Sequence, residues 1–262
     1  MNTRQPYPTD LSNAQWTLIE PLVPKPQPGG RPATVERREL INAIVYVVRN
    51  GSEWRAMPHD LPRWKTVYHY FRLWRDDGTW ARIHDALRDE VRLSAGRDPS
   101  PSAAILDAQS VKTTEAGGEA GYDAGKKVKG RKRHLGVDTL GLLLAIVVTG
   151  AHVSDPAGAR LVAGQLRGRF PRLTRLWADG GYAGAALAAW MLEVGGWIFE
   201  VVRGRTDQRG FEVIPKRWIV ERTFGWLNRY RRLSKDYEEL PQTSEVMILI
   251  AMSHLMLRRL RT

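Results

Sequence analysis

The chain predicts an α/β fold in which a small helical N-terminal domain precedes a mixed five-stranded sheet flanked by helices. Three observations carry this. Up to about residue 94 the apolar residues recur at helical spacing. Residues 94–102, Ser-Ala-Gly-Arg-Asp-Pro-Ser-Pro-Ser, have linker composition. Beyond them, short apolar runs of strand character alternate with helical stretches. The expected division is 1–94 helical, 95–102 linker and 103–262 sheet-containing.

Ser12 to Leu22 reads as a short helix with Ser12 as its cap. A loop rich in Pro and Gly follows, from Pro24 to Pro32. Val35 to Asn50 carries Leu40, Ile41, Ile44, Val45 and Val48 on one face and stops before Gly51. After a turn region with Trp54, Pro58 and Pro62 come helices at Trp64 to Arg75 and Trp80 to Leu93. Arg63, Lys65, Arg72 and Arg75 on such a helix pair are compatible with a helix-turn-helix that reads DNA. Trp54, Trp64, Tyr68, Phe71 and Trp74 are expected in the core rather than stacked on bases.

In the second half, Ala103 to Lys112 is a strand. Arg133 to Asp138 and Leu142 to Thr149 form a hairpin around Thr139-Leu140-Gly141. Helices are expected at Asp155 to Arg169 and Ala183 to Val194, strands at Leu173 to Ala178 and Trp197 to Val202. Two final helices are expected at Pro215 to Ser234 and Thr243 to Arg261.

The net charge is +12, with +3 on residues 1–100 and +9 on 101–262, and Arg outnumbers Lys 31 to 9. Such an excess favours polyanions, because neutralising phosphates releases counterions. There is no cysteine, which excludes disulfides and Cys-based zinc sites. The N-terminus lacks signal-peptide character, and the longest apolar runs are too short to span a bilayer. A cytoplasmic, nucleoid-associated protein with no membrane partner is expected.

Within this basic chain three acids stand in metal-ligand contexts. Asp107 ends the apolar run Ala103 to Leu106. Asp179 closes Leu173 to Ala178 and precedes Gly180-Gly181. Glu221 is the one acid between Lys216 and Lys235, among seven basic residues. Hard divalent cations take oxygen ligands, and two of them can stabilise the attacking and leaving oxygens of phosphoryl transfer. An i−4 pair with Arg217 is the bland alternative for Glu221; beside two strand-end aspartates the metal reading is preferred. Lys126 to Arg133, six basic residues in eight, reads as a phosphate-binding arm in which Lys126, Lys127, Lys129, Arg131 and Lys132 meet DNA. Tyr122 is a loop residue, His152 and Asp155 follow the third strand near the site, a turn or helix-cap role is preferred for Asp155, with Ser154 as the other cap candidate, and Asp138 is a hairpin residue. Gly29-Gly30 and Gly117-Gly118 lack the context of a phosphate loop.

The segments Leu106-Asp107-Ala108-Gln109-Ser110-Val111-Lys112, Ala178-Asp179-Gly180-Gly181-Tyr182 and Arg217-Trp218-Ile219-Val220-Glu221-Arg222-Thr223-Phe224-Gly225-Trp226-Leu227 resemble those of bacterial insertion-sequence DDE transposases of the fifth family. The stretch Leu11 to about Trp80, with Trp54-Arg55 and Pro58, also resembles that family's N-terminal module. The resemblance covers nearly the whole chain. It implies an RNase H-like core in which Asp107, Asp179 and Glu221 carry two Mg²⁺ ions, with Mn²⁺ as substitute. It implies cleavage of terminal inverted repeats in double-stranded DNA, joining of 3′-hydroxyl ends to target DNA, and a homodimer or higher oligomer on DNA. A nuclease without strand transfer and a catalytically silent DNA-binding regulator are the alternatives. Arg217, Arg222, Asn228, Arg229, Arg232 and Lys235 are the further expected DNA contacts. Two positions depart from the pattern: Ile214 replaces a Tyr and Asn228 a Lys. Continuing the helix through Ser234 returns Arg232 and Lys235 to the Glu221 face, so Arg232 is expected to take over as the phosphate anchor.

Overall fold

The computed structural model describes residues 4–26, 34–115, 118–202 and 216–260. Ile214, Gly29, Gly30 and Gly117 lie outside them. Four helices open the chain: α1 (Asn13–Ile19), α2 (Arg37–Asn50), α3 (Trp64–Asp76) and α4 (Thr79–Ser94). Ser12 caps α1 through a reciprocal box with Gln15, and α2 stops at Gly51 in the left-handed region. The helices α3 and α4, the pair with Arg63, Lys65, Arg72 and Arg75, are joined by Asp77 and Gly78 alone, with Gly78 at φ +75°.

The sheet has six strands: β1 (Ala103–Lys112), β2 (Gly121–Asp123), β3 (Val128–Asp138), β4 (Leu143–Gly150), β5 (Arg175–Ala178) and β6 (Ile198–Val201). Five of them form a mixed RNase H-like sheet in which β3 is antiparallel to β1 and β4, and β1, β5 and β6 run parallel. The sixth, β2, pairs the first residues of β3. It went unexpected because three residues are too few to show a period. β3 starts five residues earlier than the apolar pattern suggests, since its first half is the basic run. The β3–β4 hairpin closes on Asp138, whose carboxylate accepts from Leu140 and Leu142 N–H. Gly141 stands there at φ +80°, where only glycine is unstrained.

Helices α5 (Asp155–Leu166) and α6 (Ala185–Gly195) cover one face of the sheet; α7 (Arg217–Leu227) and α8 (Pro241–Arg259) cover the other. Side chains alternate across a strand, and β1 shows the consequence. Ala104 and Leu106 join the core with α5 and α6. Ile105 joins the core with α7 and α8. That second core continues without a break into α2, α3 and α4, and α8 is buried nearly all round between sheet and N-terminal helices. The two halves share one hydrophobic cluster, although the linker composition suggests separate units. A buried ion pair between Arg92 of α4 and Asp138 of the hairpin also crosses between them.

His254 sits inside α8 and bonds Tyr230 at 3.0 Å. Desolvation, with help from Arg258 and Arg49, lowers its pKa from 6.5 to about 4. Across that window the unfolded chain takes up a proton that the folded chain refuses, so stability falls as pH drops. From pH 6.5 to 5 this share is about 1–2 kcal/mol. His254→Gln should remove it from urea unfolding curves recorded at the two pH values. An unchanged pH dependence would contradict the assignment.

Candidate active site

β1 and β5 pair in parallel up to Ile105 and Trp177. Extending that register by two residues sets Asp107 of β1 beside Asp179, the first residue past β5. Asp107 shares its parity with Ile105 and so points to the α7 side. The two carboxylates interact: burial first, and then the charge of Asp179, pushes Asp107 up to about 6, against a lowering bond from Ala108 N–H. Asp179 accepts from Gly181 N–H at 2.8 Å, which fixes its rotamer at the strand end.

Glu221 approaches from α7, the helix that packs against β1. Arg217, one turn earlier, joins the acids: its Nη2 lies 3.6 Å from Asp179 Oδ2 and 3.4 Å from Glu221 Oε1. The i−4 pair considered for Glu221 is thus present, and the same guanidinium also meets Asp179. Among the described residues no three His, Cys, Asp or Glu side chains stand together closely enough to hold one ion. The donor chemistry nonetheless fits a hard divalent cation. Two adjacent carboxylates repel each other, one is desolvated, and a cationic group already bridges to the third.

The helix carrying Glu221 ends at Leu227, not at Ser234. Asn228 caps it, Tyr230 is extended, and a turn of 3₁₀ helix follows at Arg231–Leu233. Arg232 and Lys235 therefore do not continue the helical face of Glu221. Arg232 is buried, with Nε on Glu238 at 2.7 Å and Nη1 on the Ser52 carbonyl at 3.1 Å. It is a structural cation and offers no phosphate anchor. Arg222 bonds the Leu140 carbonyl and lies between the rings of Trp218 and Trp226. Asn228, Arg229 and Lys235 are exposed.

The basic run is a central strand. Lys126 and Lys127 form the turn before it, and the residues from Val128 onward belong to β3. Gly130 inside the run has a geometric reason: a Cβ there would fall 2.0 Å from the Val111 carbonyl oxygen. Arg131 is fully buried and bonds Asp236, Ser244 and the carbonyls of Glu119, Glu238 and Glu239. Arg133, pushed down to about 10 by burial, bonds the Leu233 and Lys235 carbonyls. Lys132 points to the opposite face and pairs with Asp123 and Asp155. Arg131 and Lys132 are thus not free phosphate contacts, whereas Lys127 and Lys129 are exposed. Lys126 reaches back to the Ala108 carbonyl at 2.7 Å, which brings its charge near Asp107.

One neighbour of the acids escapes the sequence reading. Tyr182 is buried beside Asp107, Asp155 and Asp179, and burial with those charges holds its hydroxyl protonated well above its ordinary range. Its position after Gly180-Gly181 was the available signal. The Lys132–Asp155 pair joins β3 to the start of α5, with Ser154 rather than Asp155 as the cap.

Residues 98–256 match the family Transposase DDE domain, and residues 11–84 match the family Putative transposase of IS4/5 family. The chain is similar to "Insertion element IS402 uncharacterized 16.2 kDa protein" of Burkholderia cepacia. The two are 33% identical over 118 residues, 42% of this chain and 78% of that protein. It is also similar to "Putative transposase for insertion sequence element IS402" of the same organism. That likeness is 32% over 116 residues, 42% of this chain and 54% of that protein. "Uncharacterized protein y4sN" of Sinorhizobium fredii (strain NBRC 101917 / NGR234) is 26% identical over 83 residues, 32% of this chain and 66% of its own length.

The buried and exposed cations separate in two measurements. Arg131→Ala should destabilise the fold by about 3–5 kcal/mol, because Asp236 loses its buried partner. Lys127→Ala with Lys129→Ala should leave stability unchanged. The double change should flatten the slope of log DNA affinity against log salt by about one unit for each phosphate no longer neutralised. Stable Arg131→Ala protein, or an unaltered slope in the lysine variant, would contradict this sorting.

Proposed function

The chain belongs to the Transposase DDE domain family, and from that premise we propose that it cuts the ends of an insertion element and joins them to target DNA. The observation that carries the reading is the meeting of Asp107, midway along β1, with Asp179, just past the end of β5, and Glu221 tied to Asp179 through Arg217. These three carboxylates are the groups that would hold divalent metal, Mg²⁺ or Mn²⁺. When bound, two such ions supply Lewis-acid stabilisation of both oxygens exchanged at phosphorus.

The chain's other residues have separable tasks. Burial of Asp107 beside Asp179 concentrates negative charge where a cation is needed, and Gly181 N–H keeps Asp179 aimed. Tyr182 walls the acids from the α5 side and keeps its proton. Lys127, Lys129, Arg229 and Lys235 are exposed cations for the phosphate backbone. In the first step a water oxygen bonds to phosphorus as the P–O3′ bond breaks, leaving a 3′-hydroxyl and a 5′-phosphate. In the second, that 3′-hydroxyl attacks a target phosphodiester and displaces its 3′-oxygen. One bond forms for each one broken, so no energy-supplying cofactor is required. Pairing two element ends calls for two copies of the chain, and a dimer on DNA belongs to the proposal.

Asp107→Ala, Asp179→Ala and Glu221→Ala should each lower Mg²⁺-dependent cleavage of a duplex bearing the element's end by at least about 100-fold. DNA affinity should stay within about twofold, since the cations that meet phosphate remain. The substrate comes from sequencing the DNA beside the gene for short inverted repeats. A variant that cleaves at wild-type rate would remove its residue from the site. Cleavage without joining of pre-cut 3′-hydroxyl ends would limit the activity to a nuclease.

A further inference from the structure

The aromatic residues of the N-terminal half divide into two kinds. Phe71 and Trp74 are buried, as expected of core rings. Trp54 and Trp64 are half-buried and Tyr68 is 36% exposed. These three line an open cavity of about 420 Å³. Trp54 and Tyr68 meet edge to face at 5.3 Å. Arg55 lies 5.5 Å and Lys65 5.8 Å from the centre of the Trp64 ring, so the aromatic wall carries a cationic rim.

Trp54 and Trp64 each rest partly against the core, Trp54 meeting Phe71 at 5.0 Å, but core packing does not account for the cavity's opposite wall. The segment after α7 forms its remaining wall, and a core would receive apolar side chains there. It presents Arg232 and Glu238 instead, paired with each other at 2.7 Å and buried. Glu53 adds an exposed carboxylate that can accept from a base amino group. Aromatic faces, a cationic rim and a hydrogen-bond acceptor together suit the π-face, phosphate and edge of a nucleotide.

We propose that this pocket takes one unstacked nucleobase from a single-stranded or frayed DNA segment. The proposal rests on the reading that the chain acts on DNA. The pocket is also connected to the acids. From Asp107, β1 runs to Lys112, about 17 Å at 3.3 Å per residue. Thr113 then bridges to Asp236, within the segment that supplies Arg232 and Glu238. A strand cut at the carboxylates can therefore place a base several nucleotides away between Trp64 and Tyr68. Both halves of the chain contribute walls, so the site forms only in the folded whole.

The test measures affinity of the full chain for a labelled oligo-dT strand and for a duplex of similar charge at fixed salt. Tyr68→Leu should weaken single-strand binding about tenfold and leave duplex binding unchanged, and Tyr68→Phe should restore it to within about twofold. The salt slope should not move, because every cation that meets phosphate is still in place. A single strand carrying 2-aminopurine should lose fluorescence on binding wild-type protein, a readout that needs no variant to fold. Equal weakening on strand and duplex, no weakening on either, or unquenched 2-aminopurine would each overturn the pocket. Metal-dependent cleavage in the same preparation separates the two readings. Active protein without the ring effect sinks only the pocket, and ring-dependent strand binding without any cleavage sinks only the transposase chemistry.

Discussion

Two buried guanidinium groups on one strand hold the second half of the molecule together. Arg131 and Arg133 project from the same face of β3 and bond the carbonyls of Leu233, Lys235, Glu238 and Glu239. A guanidinium taken out of water is costly unless its donors are used. Here most of them are spent on the irregular backbone between α7 and α8, with Arg131 Nε on the Glu119 carbonyl and Arg133 Nε buried without a partner. Asp236 adds the opposite charge to Arg131 at 3.1 Å. The result is a clamp: α7 and its Glu221 are held over β1, α8 enters the core in register, and Arg232 and Glu238 reach the aromatic cavity.

The placement of the acids follows from the shortness of β5. Its pairing with β1 ends at Trp177, and Asp179 leaves the sheet two residues later next to Asp107. Asp179 is thus a strand-end residue of the kind that gathers at active sites of open sheets, whereas Asp107 lies midway along β1. Holding two carboxylates side by side, one of them desolvated, opposes folding, and Arg217 offsets part of that cost in the protein without metal. A group poised in this way lends itself to exchange for a stronger cation.

Much of this was legible in the sequence where a period or an isolated acid carried the signal. The bounds of β1, the Gly51 stop, the Ser12 cap and the hairpin at Asp138 agree with the structure. The readings that differ from the structure rest on equating charge with exposure and on carrying the Glu221 helix past Leu227. The run Lys126 to Arg133 looks like a phosphate-binding arm, yet from Val128 it is a strand paired on both sides, and period two sends its cations alternately to Asp236 and to Asp155. Arg232 looks like a neighbour of Glu221 only while the helix continues. Neither Gly nor Pro marks the break at Asn228, which long-range bonds from Arg133 and Arg49 accompany. The shared core of the two halves was equally hidden, because α8 lies at the far end of the chain from the helices it packs against.

That Asp107, Asp179 and Glu221 are the metal ligands is tested most directly by anomalous diffraction from crystals of the full chain soaked in Mn²⁺. Manganese peaks should lie within direct coordination distance of Asp107 and Asp179, with Glu221 bound to at least one ion. Manganese bound elsewhere, or at none of the three, in protein that cleaves DNA in the same Mn²⁺ solution would contradict the assignment.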